Sequence, residues 1–338
     1  MHKFDYSFLD ESLLPSVLVR VTSAISSLKT ASNFRKDDFE QVFTELESIA
    51  KIQSVKSSNE IEGIITSDER IMQIVNQNSA PLNHNEEEIS GYRDALNLIH
   101  TGFDTMQFNE LTVLSLHRTL LSATDYDYGG MYKSDDNVIL EIDAAGNRKV
   151  RFAPVPASET KAAMEQLFLA FMEATANPNI HPLLLIPCVI LDFLCIHPFR
   201  DGNGRMSRLL SLLLLYRSGF DVGKYISFEE QISKDKANYY RSLKKSSENW
   251  HESSNSYFPF MENFLGILYK CYQELEAFYT KKGESQVLVG LLLNAGNYQQ
   301  MKKASLEGSC NEPLLTPAAS YVIPKYAKSI LVCTNCNS

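Results

Sequence analysis

The chain has 338 residues, 44% hydrophobic and 22% charged, with a formal net charge of −9. This composition excludes disorder over most of the chain, since enough apolar surface exists to offset the ordering entropy. The acidic balance disfavours a nucleic-acid face, which needs clustered Lys and Arg. Six cysteines are too sparse for a disulfide framework. With no basic and apolar leader in Met1 to Asp10, the expected location is cytoplasmic.

In chain order, an amphipathic helix is expected near Leu13 to Leu28. From Asp37 a longer helix is predicted, because Phe39, Val42, Phe43, Leu46, Ile49, Ile52 and Val55 recur at steps of three and four. Gly63 suits the position just past its C-terminus. A helix over Glu86 to Ile99 opens on an acidic turn, and another runs from the N-cap Asn109 to about Ser122. Val138 to Ile142 and Lys149 to Phe152 flank a Gly-containing turn and predict a hairpin. Ser158 can cap a helix reaching Ala174, and Pro182 starts an apolar helix that ends near Ile196. Pro187 and Asp192 interrupt that helix, which is too short to span a bilayer comfortably. Asp192 is expected to cap or pair locally. After a loop from His197 to Gly204, a helix over Asn203 to Arg217 is stopped by Gly219, and helices follow near Ser233 to Ser246 and Pro259 to Tyr279. The expected architecture is all-α, a helical bundle with one small hairpin before its central helix pair.

The segment from His197 to Arg208, HPFRDGNGRMSR, carries the chemistry. Gly202 and Gly204 bracket Asn203, so backbone N–H groups can approach a ligand without obstruction by a Cβ. A Gly-rich loop opening a helix is an anion cradle, because orphan N–H groups and the helix dipole both favour negative charge. Arg205 and Arg208 in the first turns oppose that dipole, which implies that an anion neutralises them. A polyphosphate suits their forked donors. Asp201 offers a hard oxygen of the kind Mg²⁺ takes alongside phosphate. His197 has the side chain best suited to accept a hydroxyl proton near neutrality.

These twelve residues match the pattern HPFx(D/E)GNGRxxR of the Fic family at every defined position, and the chain resembles that family from about residue 37 to residue 280. The resemblance implies a Fic fold and transfer of AMP from ATP to a Ser, Thr or Tyr hydroxyl of a protein, with Mg²⁺, or Mn²⁺ in its place. By the same resemblance, His197 is the base, Phe199 anchors the loop, and Asp201 holds the metal. Gly202, Asn203 and Gly204 cradle the phosphates, Arg205 supports them, and Arg208 reaches the γ-phosphate. Val138, Ile139 and Leu140 would belong to a flap, 137–153, that docks the target by strand addition. Tyr240, beside Tyr239, would border the nucleotide. Ser58-Asn-Glu-Ile-Glu-Gly63 resembles the family's inhibitory pattern (S/T)xxxE(G/N), in which Glu62 pairs with Arg208 and blocks productive ATP binding. Glu60 and Glu62 also stand at the negative end of their helix, which is unfavourable without a compensating cation.

The implied organisation is an N-terminal helical region over 1–100 carrying the inhibitory helix (about 38–63). A catalytic core over 101–280 and a tail or small unit over 281–338 follow. The tail does not show the winged-helix pattern of many relatives. Its Cys333 and Cys336 form a lone CxxC, short of the four ligands of a structural zinc site. His117 and His181 have no ligand-spaced partners. The expected partner is a target protein with an accessible hydroxyl. Self-modification and a homodimer stay open, and neither a membrane nor nucleic acid is expected. Two other readings remain: a nucleotide-sensing module with negligible turnover, and a hydrolase that removes AMP from the same target.

Overall fold

A computed structural model of the chain describes residues 2–35, 40–142 and 148–282. The chain divides at Glu276, and the site lies in the unit Met1–Glu276. The helices in order are α1 (Phe8–Glu11), α2 (Ser16–Arg35), α3 (Glu40–Ile61), α4 (Asp68–Gln77), α5 (His84–Gly102) and α6 (Glu110–Leu120). A hairpin of β1 (Ile139–Ile142) and β2 (Arg148–Phe152) follows. Then come α7 (Ala157–Ala176), α8 (Pro182–Ile196), α9 (Asn203–Arg217), α10 (Phe228–Lys234), α11 (Lys236–Ser247) and α12 (Phe258–Lys282). Among the described residues the architecture is therefore mostly α, with one antiparallel hairpin.

The centre is set by hydrophobicity. Helix α8 is apolar at every position but Asp192, which is stable only when its faces are covered. Leu183 through Phe193 are buried without a break, and α7 and α9 pack against it. Each large aliphatic side chain so buried contributes about 1.5–3 kcal/mol. Pro182 takes the first helical position, and His181 caps it by accepting the Leu183 N–H through Nδ1 (3.2 Å). No helix among the described residues is long and apolar enough to cross a membrane.

Local chemistry moves several expected boundaries. The first expected helix runs on to Arg35. Helix α4 was not foreseen, although its signals are ordinary. Ser67 accepts the Arg70 N–H, Ile71, Ile74 and Val75 are buried at helical spacing, and Asn78 stops it in the left-handed region. The helix expected from Ser158 begins at Ala157 behind Pro156, and the Asp136 carboxylate takes the Ala157 N–H (2.7 Å). The helix expected near Ser233 to Ser246 is broken at Asp235. Ser227 caps a separate α10 by accepting the Glu230 N–H. The turn 143–147 and residues 283–338, including Cys333 and Cys336, lie outside the described residues.

Asp192 does not pair locally. It is fully buried in α8 and accepts hydrogen bonds from Tyr6 (2.7 Å), Trp250 (2.7 Å) and Tyr257 (3.0 Å). The N-terminal segment is thereby tied to the residues before α12 across the back of α8. Burial pushes the Asp192 carboxyl up to about 7, against the lowering effect of those three donors.

Candidate functional site

The loop between α8 and α9 starts at His197, which ends α8 in the left-handed region (φ 53°) with its N–H on the Phe193 carbonyl. Its Nδ1 lies 3.3 Å from the Leu194 carbonyl, an acceptor, so Nδ1 carries the hydrogen and Nε2 is left as the acceptor. Burial lowers the His197 pKa to about 4, and the nearby Lys133 charge adds to this while the Leu194 carbonyl opposes it. The imidazole is therefore neutral at physiological pH. Asn203 staples the loop by accepting the Phe199 N–H (2.9 Å) and donating to the Phe199 carbonyl (2.8 Å). The Phe199 ring is fully buried. From the segment leading to the hairpin, Lys133 N–H donates to the Pro198 carbonyl (2.9 Å) and Asn137 donates to that of Phe199 (3.1 Å).

The two arginines are almost fully buried, and carboxylates neutralise both. Arg205 Nη1 lies 2.5 Å from Glu88 Oε2 of α5, and its Nη2 lies 3.4 Å from Asp201. Arg208 donates to Ser58 Oγ (2.8 Å), the Ser58 carbonyl (2.9 Å) and Glu62 Oε1 (2.7 Å). Partial burial pushes the Glu62 carboxyl up. The Arg208 charge and hydrogen bond, with Arg205 and Lys236 behind them, outweigh that and hold its pKa below the ordinary 4.5.

Glu62 reaches this place because α3 ends in a Schellman turn. Gly63, at φ 83°, lets its own N–H bond to the Glu60 carbonyl and that of Ile64 to the Asn59 carbonyl. The unfavourable acidic end noted in the sequence is thus compensated by two cations from other helices and one from α3 itself. Arg208 takes the Ser58 carbonyl, Lys236 of α11 takes the Ile61 carbonyl, and Lys56 stands 3.7 Å from Glu60. Upstream, Ser54 donates to Glu229 Oε2 (2.8 Å), and Tyr92 donates to the other oxygen of that fully buried carboxylate (2.9 Å). The end of α3 is built into the core rather than frayed.

The Glu62 carboxylate lies against the first turn of α9. A Cβ on Gly204 would stand 2.2 Å from Glu62 Oε1, so only glycine permits this approach. A negative group over that helix N-terminus is what the dipole and the free N–H groups favour.

These groups line a cavity of about 490 Å³. His197, Asp201, Gly202, Asn203, Gly204 and Arg205 form one wall, Glu62 another, Tyr240 and Leu243 of α11 a third, and the hairpin a fourth. In the hairpin Ile139 pairs with Phe152 and both line the cavity, whereas Leu140 pairs with Val150 and both are exposed. The structure thus brings His197, Asp201, Gly202 to Arg205, Tyr240, Ile139 and Glu62 together. Arg208 and Ser58 lie behind Glu62, Gly63 shapes the turn, and the exposed Val138 and Leu140 do not line the cavity. Tyr239 is buried against Phe260 instead. Sequence reasoning missed Glu88, Lys133, Asn137 and Lys236. Their partners lie far along the chain, so no spacing marks them.

Polyphosphate and a divalent cation fit this arrangement. Arg205 Nε and Nη1 and Glu88 Oε2 are buried without a hydrogen-bond partner, because the close Arg205–Glu88 pair is not aligned for one. The Asp201 side chain is 51% exposed at the cavity. No group of three or more His, Cys, Asp or Glu able to hold a metal occurs among the described residues, so a cation there would draw its remaining oxygens from the anion and water.

Comparison with known proteins gives a match of residues 107–215 to the Fic/DOC family model. A Fido domain-containing protein of Dictyostelium discoideum is 30% identical over 109 residues, 32% of this chain and 70% of that protein. The protein adenylyltransferase Fic of Drosophila ananassae is 30% identical over 166 residues, 49% of this chain but 30% of the fly protein. Among solved structures, a Fic family protein from Desulfovibrio desulfuricans superposes with a TM-score of 0.63 at 23% identity, over 79% of this chain and 76% of that one. A Fic domain containing signaling protein from Bacteroides thetaiotaomicron gives 0.62 at 22% identity, over 80% and 99%. At those identities the structures attest the fold alone.

Proposed function

The chain belongs to the Fic/DOC family, and we propose that it is a protein adenylyltransferase held in check by Glu62. The observation that carries this reading is the Glu62–Arg208 pair (2.7 Å), whose Glu62 carboxylate sits against the first turn of α9 in the same cavity as the neutral His197. In the reaction, Nε2 of His197 takes the proton of a Ser, Thr or Tyr hydroxyl on the target. The freed oxygen attacks the α-phosphorus of ATP, the bond from that phosphorus to the bridging oxygen breaks, and pyrophosphate leaves. Positioning and charge neutralisation account for most of the acceleration in such transfers.

The N–H groups of Gly202 to Gly204 and the guanidinium of Arg205 bind the phosphates. Arg208 binds the terminal phosphate once Glu62 withdraws, and Tyr240 borders the nucleoside. Asp201 would hold Mg²⁺, which supplies charge neutralisation to the phosphate oxygens when bound. Ile139 and Phe152 bound the side from which a target segment would enter.

The test is incubation of the full chain with labelled ATP, Mg²⁺ and a cell lysate. It compares wild type, Glu62→Gly and the double variant that adds His197→Ala. Label transfer in Glu62→Gly alone, abolished by a chelator, supports the reading, and no transfer in any of them overturns it. A removal activity is the second reading, because Glu62 shares the cavity with His197 and could align a water. Loss of AMP from a modified target with wild type but not Glu62→Gly would select it.

A further inference from the structure

His117 of α6 is a fully buried titratable side chain to which the proposed chemistry gives no part. Its Nδ1 accepts the backbone N–H of Gly130 (3.0 Å), a group that can only donate. The other nitrogen therefore carries the hydrogen, and Nε2 donates to the backbone carbonyl of Asp201 (3.1 Å). The ring is stacked on Phe199 at 3.7 Å between centroids, 11° from parallel. One imidazole thus joins three pieces: the segment entering the hairpin, the aromatic anchor of the loop, and the peptide that carries Asp201.

Asp201 needs such a hold. Among the described residues its carboxylate has only the 3.4 Å contact with Arg205 Nη2, and it is half exposed. Its direction is therefore set by the backbone, and the peptide between Asp201 and Gly202 can rotate unless its carbonyl is tied. We propose that His117 is a positioning residue for Asp201, holding that carbonyl so that the carboxylate faces the phosphate cradle. This rests on the reading of Asp201 as the cation-holding carboxylate. A displacement of about 1 Å at a reacting site can cost on the order of 100-fold.

The two amide residues separate this role from simple packing. The amide of Gln reaches the position of Nε2 and can still donate to Asp201. The shorter Asn reaches only the position of Nδ1 and can still accept from Gly130. Both are made in full-length Glu62→Gly protein. One readout is the affinity for a fluorescent ATP analogue with and without Mg²⁺. The other is hydrogen exchange at the amides of residues 199–204 without ligand.

The expected result is that His117→Asn loses about 10-fold or more of the enhancement of affinity by Mg²⁺ and exchanges faster at those amides. His117→Gln should keep the parent behaviour, and affinity without Mg²⁺ should be alike in both. Equal enhancement by Mg²⁺ and equal exchange in the two variants would reduce His117 to a packing residue. Should His117→Asn fail to fold, His117→Phe takes its place, since it keeps the stack and removes both hydrogen bonds. Parent-like enhancement by Mg²⁺ in that variant would equally overturn the proposal. A Glu62→Gly parent that binds no ATP would remove the adenylyltransferase reading, while the exchange comparison would still decide on His117.

Discussion

Replacing Glu62 by Gly takes one of three hydrogen bonds from Arg208 and leaves the two to Ser58. A hydrogen bond to a charged group is worth about 1.5–3 kcal/mol. Desolvation offsets part of that, and the Glu62 side chain is 31% exposed, so the lower end applies. A closed state favoured by about 1.4 kcal/mol leaves roughly one molecule in ten competent for ATP, so releasing it should raise the apparent ATP affinity about 10-fold. AMP incorporation at subsaturating ATP should rise in proportion. Glu62→Gln keeps the bulk beside Gly204 and should be activated less. The ligand-free Glu62→Gly protein should lose about 1 kcal/mol of stability, roughly 2–4 °C in Tm, and ATP with Mg²⁺ should restore it. Because the Glu62 pKa is held below 4.5, the carboxylate stays ionised and the inhibition of wild type should be flat from about pH 5 to 8. Intact mass reports AMP incorporation, and titration with a fluorescent ATP analogue reports affinity. Equal affinity and equal, low incorporation in wild type and Glu62→Gly would refute the reasoning and leave Ser58 to Gly63 as an ordinary helix end.

In the Glu62→Gly background, His197→Ala should lower AMP transfer by about 10²–10⁴-fold while ATP affinity holds, as single-turnover kinetics would report. Asp192→Ala strands the Tyr6, Trp250 and Tyr257 donors and should cost about 3 kcal/mol or more. Thermal melting tests this, and an unchanged Tm would contradict it. The buried His100 and His117 and the half-buried His197 have folded pKa values lowered to about 3, 4 and 4 from 6.5, so the unfolded chain binds their protons first. Their contribution is complete above pH 6.5 and is lost as pH falls toward 4, about 1.4 kcal/mol each by pH 5.5. Urea titrations at pH 7.5 and 5.5 measure that loss, and a midpoint no lower at pH 5.5 would contradict it.

The sequence by itself determined what is contiguous. Helical period, the N-cap Asn109, the Pro182 start and the two short β-runs on either side of 143–147 are written within a few residues of where they act, so α3, α5, α6, α8, α9 and the hairpin were legible. The anion cradle was legible for the same reason, since a Gly-rich loop opening a helix makes its own partial charge. The Ser58 to Gly63 pattern pointed to Arg208 through family resemblance, and the structure places Glu62 Oε1 2.7 Å from it.

Only the tertiary structure decided which groups complete those local features. It assigned Glu88 of α5 to Arg205, Lys236 of α11 to the end of α3, Tyr6, Trp250 and Tyr257 to Asp192, and His117 to the carbonyl of Asp201. The physical reason is that a buried charge or carbonyl needs a partner of the right kind. The chain does not encode in its spacing which distant segment supplies that partner. Packing around α8 brings those segments within reach, and the short range of hydrogen bonds then selects the partner.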